Sequence, residues 1–597
     1  MTTNETLPET DRHKLEANLA RVEELTQRLV DAIARRKPIN PALHGPEPTL
    51  YAKAMQAYWQ EWAQNPAKVF ENQVGYWGKS LGHFMEAQQA LAAGKLAPPE
   101  DTGPKDRRFK NPLWDSHPYF NFIKQQYQIS SDAIRDAVED IEDLEPTEKR
   151  RLRYFAQQIT DMMAPTNFFA TNPDALQKAV ETEGASLVKG MENLVADLEA
   201  NNGELIVRLA DDKAFTIGEN IATAEGAVVW RNRMMELIQY SPTTEKVHET
   251  PIVLFPPWIN KFYILDLKPE NSLIRWIVDQ GYTLFVVSWI NPDESYRDIG
   301  LEDYIEDGYL TALRLAREIC GTEKINAVGY CIAGTTLALT LSLLKKRGDK
   351  QVNSATFFTA LTDFSDQGEF TPFLQNDFID GIEAEVNATG LLKSFIMART
   401  FSYLRSTDLI YTPAIKSYMM GETPPAFDLL YWNGDGANLP GRMAVQYLRG
   451  LCQDNKFSDG TFELMGETLN LRDVDIPLIS ITAETDHIAA WKDCFRGVQK
   501  MGARSKTFVL SESGHIAGIV NPPNKKKYGH YLNPDLTLPA DEWQKTADYH
   551  EGSWWPVWEA WLRKRSGKKV AARQPGDSSH PVLAPAPGTY VRVKANQ

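Results

Sequence analysis

One stretch, Lys324 to Lys345, constrains the fold more than any other. It carries no charge from Ala327 to Leu344 and joins a short apolar run to a run of helical length. Ile325 to Tyr330 has the uninterrupted apolar character of a parallel strand covered on both faces, and Thr335 to Lys345 has helical composition. Between them, Gly329-Tyr330-Cys331-Ile332-Ala333-Gly334 follows the strand-turn-helix elbow G-x-S-x-G, with Cys in place of Ser and Ala333 where the pattern has Gly. The stretch nears the length of a membrane span, but two glycines and the strand-turn-helix order argue against one. Such an elbow raises Cys331 above the carboxyl edge of the sheet and aims the N–H of Ile332, with the helix N-terminus, at a developing oxyanion. The plain alternative is that Cys331 is a buried small apolar residue, as most free cysteines are.

A thiol needs a histidine to supply thiolate near neutral pH, and the histidine needs a carboxylate to orient it. In the α/β-hydrolase fold the chain order is nucleophile, acid, His, the last two on loops after late strands. Glu484-Thr485-Asp486-His487 follows the candidate strand Leu478–Ala483, and Ser511-Glu512-Ser513-Gly514-His515 follows Thr507–Leu510. The triad expected is therefore Cys331, Asp486 and His515, with Glu484 and His487 as the alternatives for acid and base. A second oxyanion donor belongs on the loop Pro256-Pro257-Trp258-Ile259-Asn260, which lacks an HGGG motif; Trp258 and Ile259 are both candidates. Lys525-Lys526-Lys527 reads as a solvated patch or as a contact for an anionic substrate tail.

The first two hundred residues read as helical. Leu15, Leu19, Val22, Leu25, Leu29 and Ile33 recur at three and four residues, giving an amphipathic helix from Lys14 to Arg36 that packs on its own domain or on a partner. A Pro-rich break (38–48) and a loose linker (97–110) flank aromatic segments at 51–62 and 69–91. Further helices are expected at 131–143, 148–163, after the cap Asn172-Pro173, and at 185–200. Strands then alternate with helices: 252–255, 283–289, 325–330, 355–361, 478–483 and 507–510, with helices at 272–280 and 304–319. More than a hundred residues separate Leu361 from Leu478, and an insertion there reads as a lid. The division expected is a helical domain over 1–200 and an α/β-hydrolase domain over 201–597 with its lid or cap over about 362–475.

With 64 Lys and Arg against 79 Asp and Glu, the net charge of −15 disfavours a nucleic-acid partner. Cys320, Cys331, Cys452 and Cys494 have neither CxxC spacing nor adjacent His pairs, so neither a metal site nor a disulfide scaffold is expected. The polar start has no apolar core of a secretory signal, and no transmembrane segment is expected. A free reactive thiol suits a reducing cytoplasm.

Several stretches together resemble the class I polyhydroxyalkanoate synthases: Thr166–Pro173 (TNFFATNP), Pro256–Pro269 (PPWINKFYILDLKP), Gly329-Tyr330-Cys331, Phe427–Pro440 (FDLLYWNGDGANLP), Asp486-His487-Ile488, Ser513–Pro523 (SGHIAGIVNPP) and Gly552–Pro556 (GSWWP). The resemblance implies Cys331 as nucleophile, Asp486 as catalytic Asp and His515 as catalytic His. It implies polymerisation of (R)-3-hydroxyacyl-CoA through a Cys-bound acyl thioester, short monomers such as 3-hydroxybutyryl being the class I preference. No cofactor is implied, coenzyme A being part of substrate and product. Homodimers, and attachment to the polyester granule in the cytoplasm, are implied too. The family pattern is commonly G-x-C-x-G-G, from which Ala333 departs. A thioesterase on the same fold would use the same triad and give the acyl group to water. A silent granule-binding scaffold would not need Cys331.

Overall fold

The computed structural model describes residues 9–35, 52–57, 75–76, 78–85, 106–142, 144–366 and 368–595. Its contacts divide the chain into two units, Met1–Leu209 with Arg399–Pro425, and Ala210–Ala398 with Ala426–Gln597.

The first unit is helical: α1 (Glu9–Ala34), α2 (Pro118–Glu139), α3 (Pro146–Met162), α4 (Pro173–Glu181) and α5 (Ala185–Ala200). The stripe on α1 buries Leu25 completely against its unit, and Arg21 and Arg28 pair with Glu192 and Glu199 of α5 at 2.9 and 2.7 Å. Asn172 caps α4 by accepting from the N–H of Ala175 at 3.1 Å, with Pro173 in the first turn. The aromatic helices read at 51–62 and 69–91, and the linkers at 38–48 and 97–110, fall largely outside the described residues.

Residues 399–425 come from the middle of the long insertion, yet they pack with this helical unit. Asn193 of α5 donates to Ser417 O at 3.1 Å, and Tyr418 donates to Asp197 at 2.8 Å. A Cβ on Gly190 would lie 2.0 Å from the Tyr418 carbonyl, so glycine is what admits this backbone against α5. The central part of the insertion expected as a lid or cap over about 362–475 thus shares the packing of the helical unit.

The second unit is built on an 11-stranded sheet. In chain order its strands are β1 (Gly226–Arg231), β2 (Met235–Tyr240), β3 (Ile252–Phe255), β4 (Leu284–Trp289), β5 (Ile325–Tyr330), β6 (Val352–Phe358), β7 (Leu478–Ala483), β8 (Lys506–Ser511), β9 (His530–Leu532), β10 (Asp548–His550) and β11 (Ala584–Pro585). Across the sheet they run β10-β9-β8-β7-β6-β5-β3-β4-β2-β1-β11. β3 to β8 are mutually parallel, and the remaining strands add antiparallel edges. The parallel strands are those the apolar runs predicted, because burial on both faces leaves no polar alternation. β6 begins three residues earlier than the sequence suggested. The Pro-rich run Pro581–Pro587 supplies β11: Leu583 and Ala586 donate to Val228 and Gly226 carbonyls of β1 at 2.8 and 2.9 Å. Proline is tolerated there because β11 is an edge.

Helices α6 (Leu273–Asp279), α7 (Thr311–Cys320), α8 (Ile332–Lys346), α9 (Trp491–Lys500) and α10 (Trp555–Arg563) belong to this unit as well. The part of the insertion that stays here includes a helix at Asn376–Thr389 and the paired Leu391–Leu392 and Leu439–Pro440. Among the described residues no helix is long and apolar enough to cross a membrane.

Candidate active site

Cys331 occupies the turn between β5 and α8 at φ 55°, ψ −128°, where a residue with a Cβ is strained by about 1–3 kcal/mol. Its N–H donates to Phe358 O of the neighbouring β6 at 2.8 Å, which fixes the turn. Glycine is required on both flanks. A Cβ on Gly329 would fall 2.6 Å from Gly334 Cα, and one on Gly334 would fall 2.5 Å from Ala360 Cβ. Ala333, the departure from the family pattern, meets no such conflict. It is fully buried in the first turn of α8, and its carbonyl accepts from the Tyr309 hydroxyl at 2.7 Å. Ile332 opens α8, so its N–H has no acceptor within the helix.

Asp486 follows β7 and His515 follows β8, both at the carboxyl edge where β5 delivers Cys331. Nδ1 of His515 lies 2.7 Å from Oδ2 of Asp486, and Oδ1 of Asp486 accepts the N–H groups of Ile488 and Ala489 at 2.8 and 2.9 Å. With Nδ1 engaged, Nε2 is the nitrogen available to Cys331. Burial opposes charge on the imidazole, but Asp486 and Cys331, both interacting with it, outweigh burial and push it up to about 10. Tyr330 holds the other side: its ring stacks on the imidazole at 5.8 Å and its hydroxyl donates to the His515 carbonyl at 3.1 Å.

None of the four cysteines is in a disulfide, and Cys331 alone among them is not buried. Burial pushes the Cys320 thiol up to about 12 and raises those of Cys452 and Cys494 as well, which disfavours the thiolate in all three. The sequence alternatives are placed elsewhere. Glu484 accepts from Gln544 at 2.7 Å, and His487, half-buried, is not the histidine that Asp486 holds. Lys525, Lys526 and Lys527 are exposed on the loop between His515 and β9.

Phe255 of β3 is paired with Gly329 of β5, so the loop carrying Trp258 and Ile259 leaves the sheet one strand from the elbow. Trp258 is buried against Trp289 and Tyr304, with ring centroids 5.7 and 4.8 Å away; Ile259 is half-buried, and its carbonyl accepts from Ala437 N at 2.8 Å. Tyr447, from the insertion, donates to Thr335 Oγ1 on α8 at 3.3 Å.

Sequence reasoning assigned no structural role to the tryptophans after β10. Trp554 and Trp555 donate to the carbonyls of Gly518 and Ile519 at 2.7 and 2.9 Å, and Trp558 donates to Thr356 Oγ1 at 3.0 Å. All three are essentially buried; Trp554 and Trp555 anchor the loop that carries His515, and Trp558 ties α10 to β6. Their clustering in GSWWPVW was the available signal.

The chain is similar to known proteins along most of its length. Residues 105–277 match the model of the poly-beta-hydroxybutyrate polymerase (PhaC) N-terminus, and residues 251–522 match that of the alpha/beta hydrolase fold. The chain is 38% identical over 543 residues to the poly(3-hydroxyalkanoate) polymerase subunit PhaC of Rhizobium meliloti, covering 91% of this chain and 88% of that one. It is 39% identical over 544 residues to the poly(3-hydroxyalkanoate) polymerase of Methylorubrum extorquens, covering 90% and 89%. The corresponding subunit of Cupriavidus necator is 38% identical over 538 residues, covering 89% of each. With such identity along nine-tenths of its length, and with an elbow, acid and histidine in the hydrolase order, the chain belongs to the poly(3-hydroxyalkanoate) polymerase family.

Proposed function

We propose that the protein polymerises (R)-3-hydroxyacyl-CoA, 3-hydroxybutyryl-CoA foremost, into polyester through an acyl thioester on Cys331. The observation that carries this reading is the strained Cys331 elbow meeting a histidine held by a buried carboxylate, in a member of a polymerase family. His515 takes the thiol proton; the Cys331 thiolate attacks the thioester carbonyl; the oxyanion is held by the N–H of Ile332 and a donor from the 256–260 loop. The intermediate collapses with release of coenzyme A, which leaves with the proton from His515. In the second half, His515 takes the proton from the 3-hydroxyl of an acceptor hydroxyacyl-CoA, whose oxygen attacks the Cys331 thioester; collapse breaks the C–S bond, the Cys331 thiolate leaves and is paired again with the proton on His515, and the chain, now on the acceptor, is longer by one unit. Asp486 serves as the orienting group rather than the base. Its side chain has no solvent exposure, and both its oxygens are engaged, one by His515 and one by two backbone N–H groups.

In the same reading the enzyme works in the cytoplasm on the surface of its polyester product, as a homodimer. The test is to give purified protein (R)-3-hydroxybutyryl-CoA and follow free coenzyme A together with the acyl group. Coenzyme A with insoluble polyester supports the proposal. Coenzyme A with free hydroxy acid overturns it in favour of a thioesterase, and no release overturns both.

A further inference from the structure

The segment Thr589–Ala595 is anchored at one end and reaches the oxyanion-side loop at the other. Glu236, fully buried on β2, accepts the N–H groups of Thr589 and Tyr590 at 2.8 and 3.0 Å, and Tyr590 donates to Asn232 O at 2.8 Å. Beyond this anchor, Val593 O accepts from Lys261 Nζ at 2.8 Å and from Asn291 at 3.4 Å, while Ala595 O accepts from Asn438 at 3.3 Å. Lys594 pairs with Asp435 at 3.1 Å and lies over the Tyr431 ring at 4.9 Å. The other oxygen of Asp435 accepts from the Tyr263 hydroxyl at 2.8 Å.

These contacts converge on residues 259–261. Trp432 Nε1 donates to Lys261 O at 2.7 Å and Ala437 N to Ile259 O at 2.8 Å, so the carbonyls on both sides of Asn260 are held by the segment that Lys594 and Asn438 tie to the tail. Lys261 itself is only 4% exposed and has no part in the acyl-transfer steps. A buried ammonium is costly unless a specific partner compensates it, and the acceptor that Lys261 reaches is a carbonyl of the tail. Packing alone would be served by an apolar side chain.

We infer that Val593–Ala595, Lys261 and Asp435 form a strap that positions the loop Pro256–Asn260 for oxyanion binding, Lys261, Asp435 and Lys594 being positioning residues. This rests on the proposed acyl transfer to Cys331.

The test separates loop position from nucleophile reactivity. Alkylation of Cys331 by iodoacetamide proceeds at a saturated carbon and develops no oxyanion, whereas acylation by (R)-3-hydroxybutyryl-CoA does. Lys261→Met, Asp435→Asn, Lys594→Ala and a chain ending at Arg592 are compared with the parent for both rates, with Lys594→Arg as the conservative control. Lys594 is 39% exposed on its side chain, so its replacement leaves the core intact. Single-turnover coenzyme A release is expected to fall about 10- to 100-fold, less than the full loss of an oxyanion donor, while alkylation stays within about twofold and Lys594→Arg recovers most of the loss. Unchanged acylation in every variant overturns the inference, as does an equal fall in both rates, which marks a general disturbance. If the parent alkylates at Cys331 but never releases coenzyme A, the acyl-transfer reading itself fails, an outcome distinct from either.

Discussion

Asp486 holds His515 with one oxygen and the loop Ile488–Ala489 with the other, so the carboxylate that orients the imidazole is itself fixed by backbone. Asp486→Asn keeps an acceptor for the two N–H groups but sets an amide NH2 against His515 Nδ1, which forces the wrong tautomer. Coenzyme A release is expected to fall by about 10²- to 10⁴-fold with secondary structure unchanged by circular dichroism. Activity within tenfold of the parent would show that His515 needs no orienting carboxylate.

The same pair makes stability pH-dependent. His515 is pushed from 6.5 up to about 10 on folding, with burial opposing and Asp486 and Cys331 prevailing. A raised folded value stabilises below the unfolded value, so this contribution is complete below about pH 6.5 and is lost as the pH rises toward 10. In urea titrations, the stability gap between parent and Asp486→Asn is expected to be widest near pH 6 and to shrink by pH 10. A gap that widens with pH would contradict the assignment.

At the elbow, strain and chemistry separate by substitution. Cys331→Ala and Cys331→Gly are both expected to abolish coenzyme A release, by roughly 10³-fold or more if Cys331 is the nucleophile. The Gly variant should be the more stable by about 1 kcal/mol, because only glycine accepts φ 55°, ψ −128° without strain. Comparing the melting midpoints of the two variants checks the order.

Gly334 and Ala333 are not equivalent. Gly334→Ala drives a Cβ against Ala360 and should cost about 1–3 kcal/mol. Ala333→Gly, which restores the common family pattern, should cost under about 1 kcal/mol and leave coenzyme A release within about twofold. Assaying both variants for stability and turnover decides whether position 333 matters to the reaction.

Glu236 anchors the tail. Glu236→Ala leaves the N–H groups of Thr589 and Tyr590 and the Arg231 guanidinium without their carboxylate, and should destabilise by about 2–4 kcal/mol. Limited proteolysis is expected to cut near 583–595 in the variant before the parent is touched. Equal resistance would mean that β11 alone secures the tail.

Much of this protein was legible as sequence because local physics sufficed. A parallel strand buried on both faces leaves an apolar run, which is why β3 to β8 were all anticipated. A strained elbow demands small flanking residues, which is why Cys331 stood out, and catalytic loops follow strands, which brought Asp486 and His515 forward in order. The helix cap at Asn172-Pro173 is equally local.

Pairings across long sequence separations were decided only by the tertiary structure. Short strands such as β9, β10 and β11 carry too few residues to show a pattern, and the proline of β11 gives no strand signal until β1 supplies its partner. Residues 399–425 could join the helical unit only because Gly190, more than two hundred residues earlier, leaves room for the backbone at Tyr418. The distances that set Asp486 against His515, rather than merely each after its own strand, are likewise tertiary. Those distances arise from the register of β7 beside β8, where the sheet brings the two loops together.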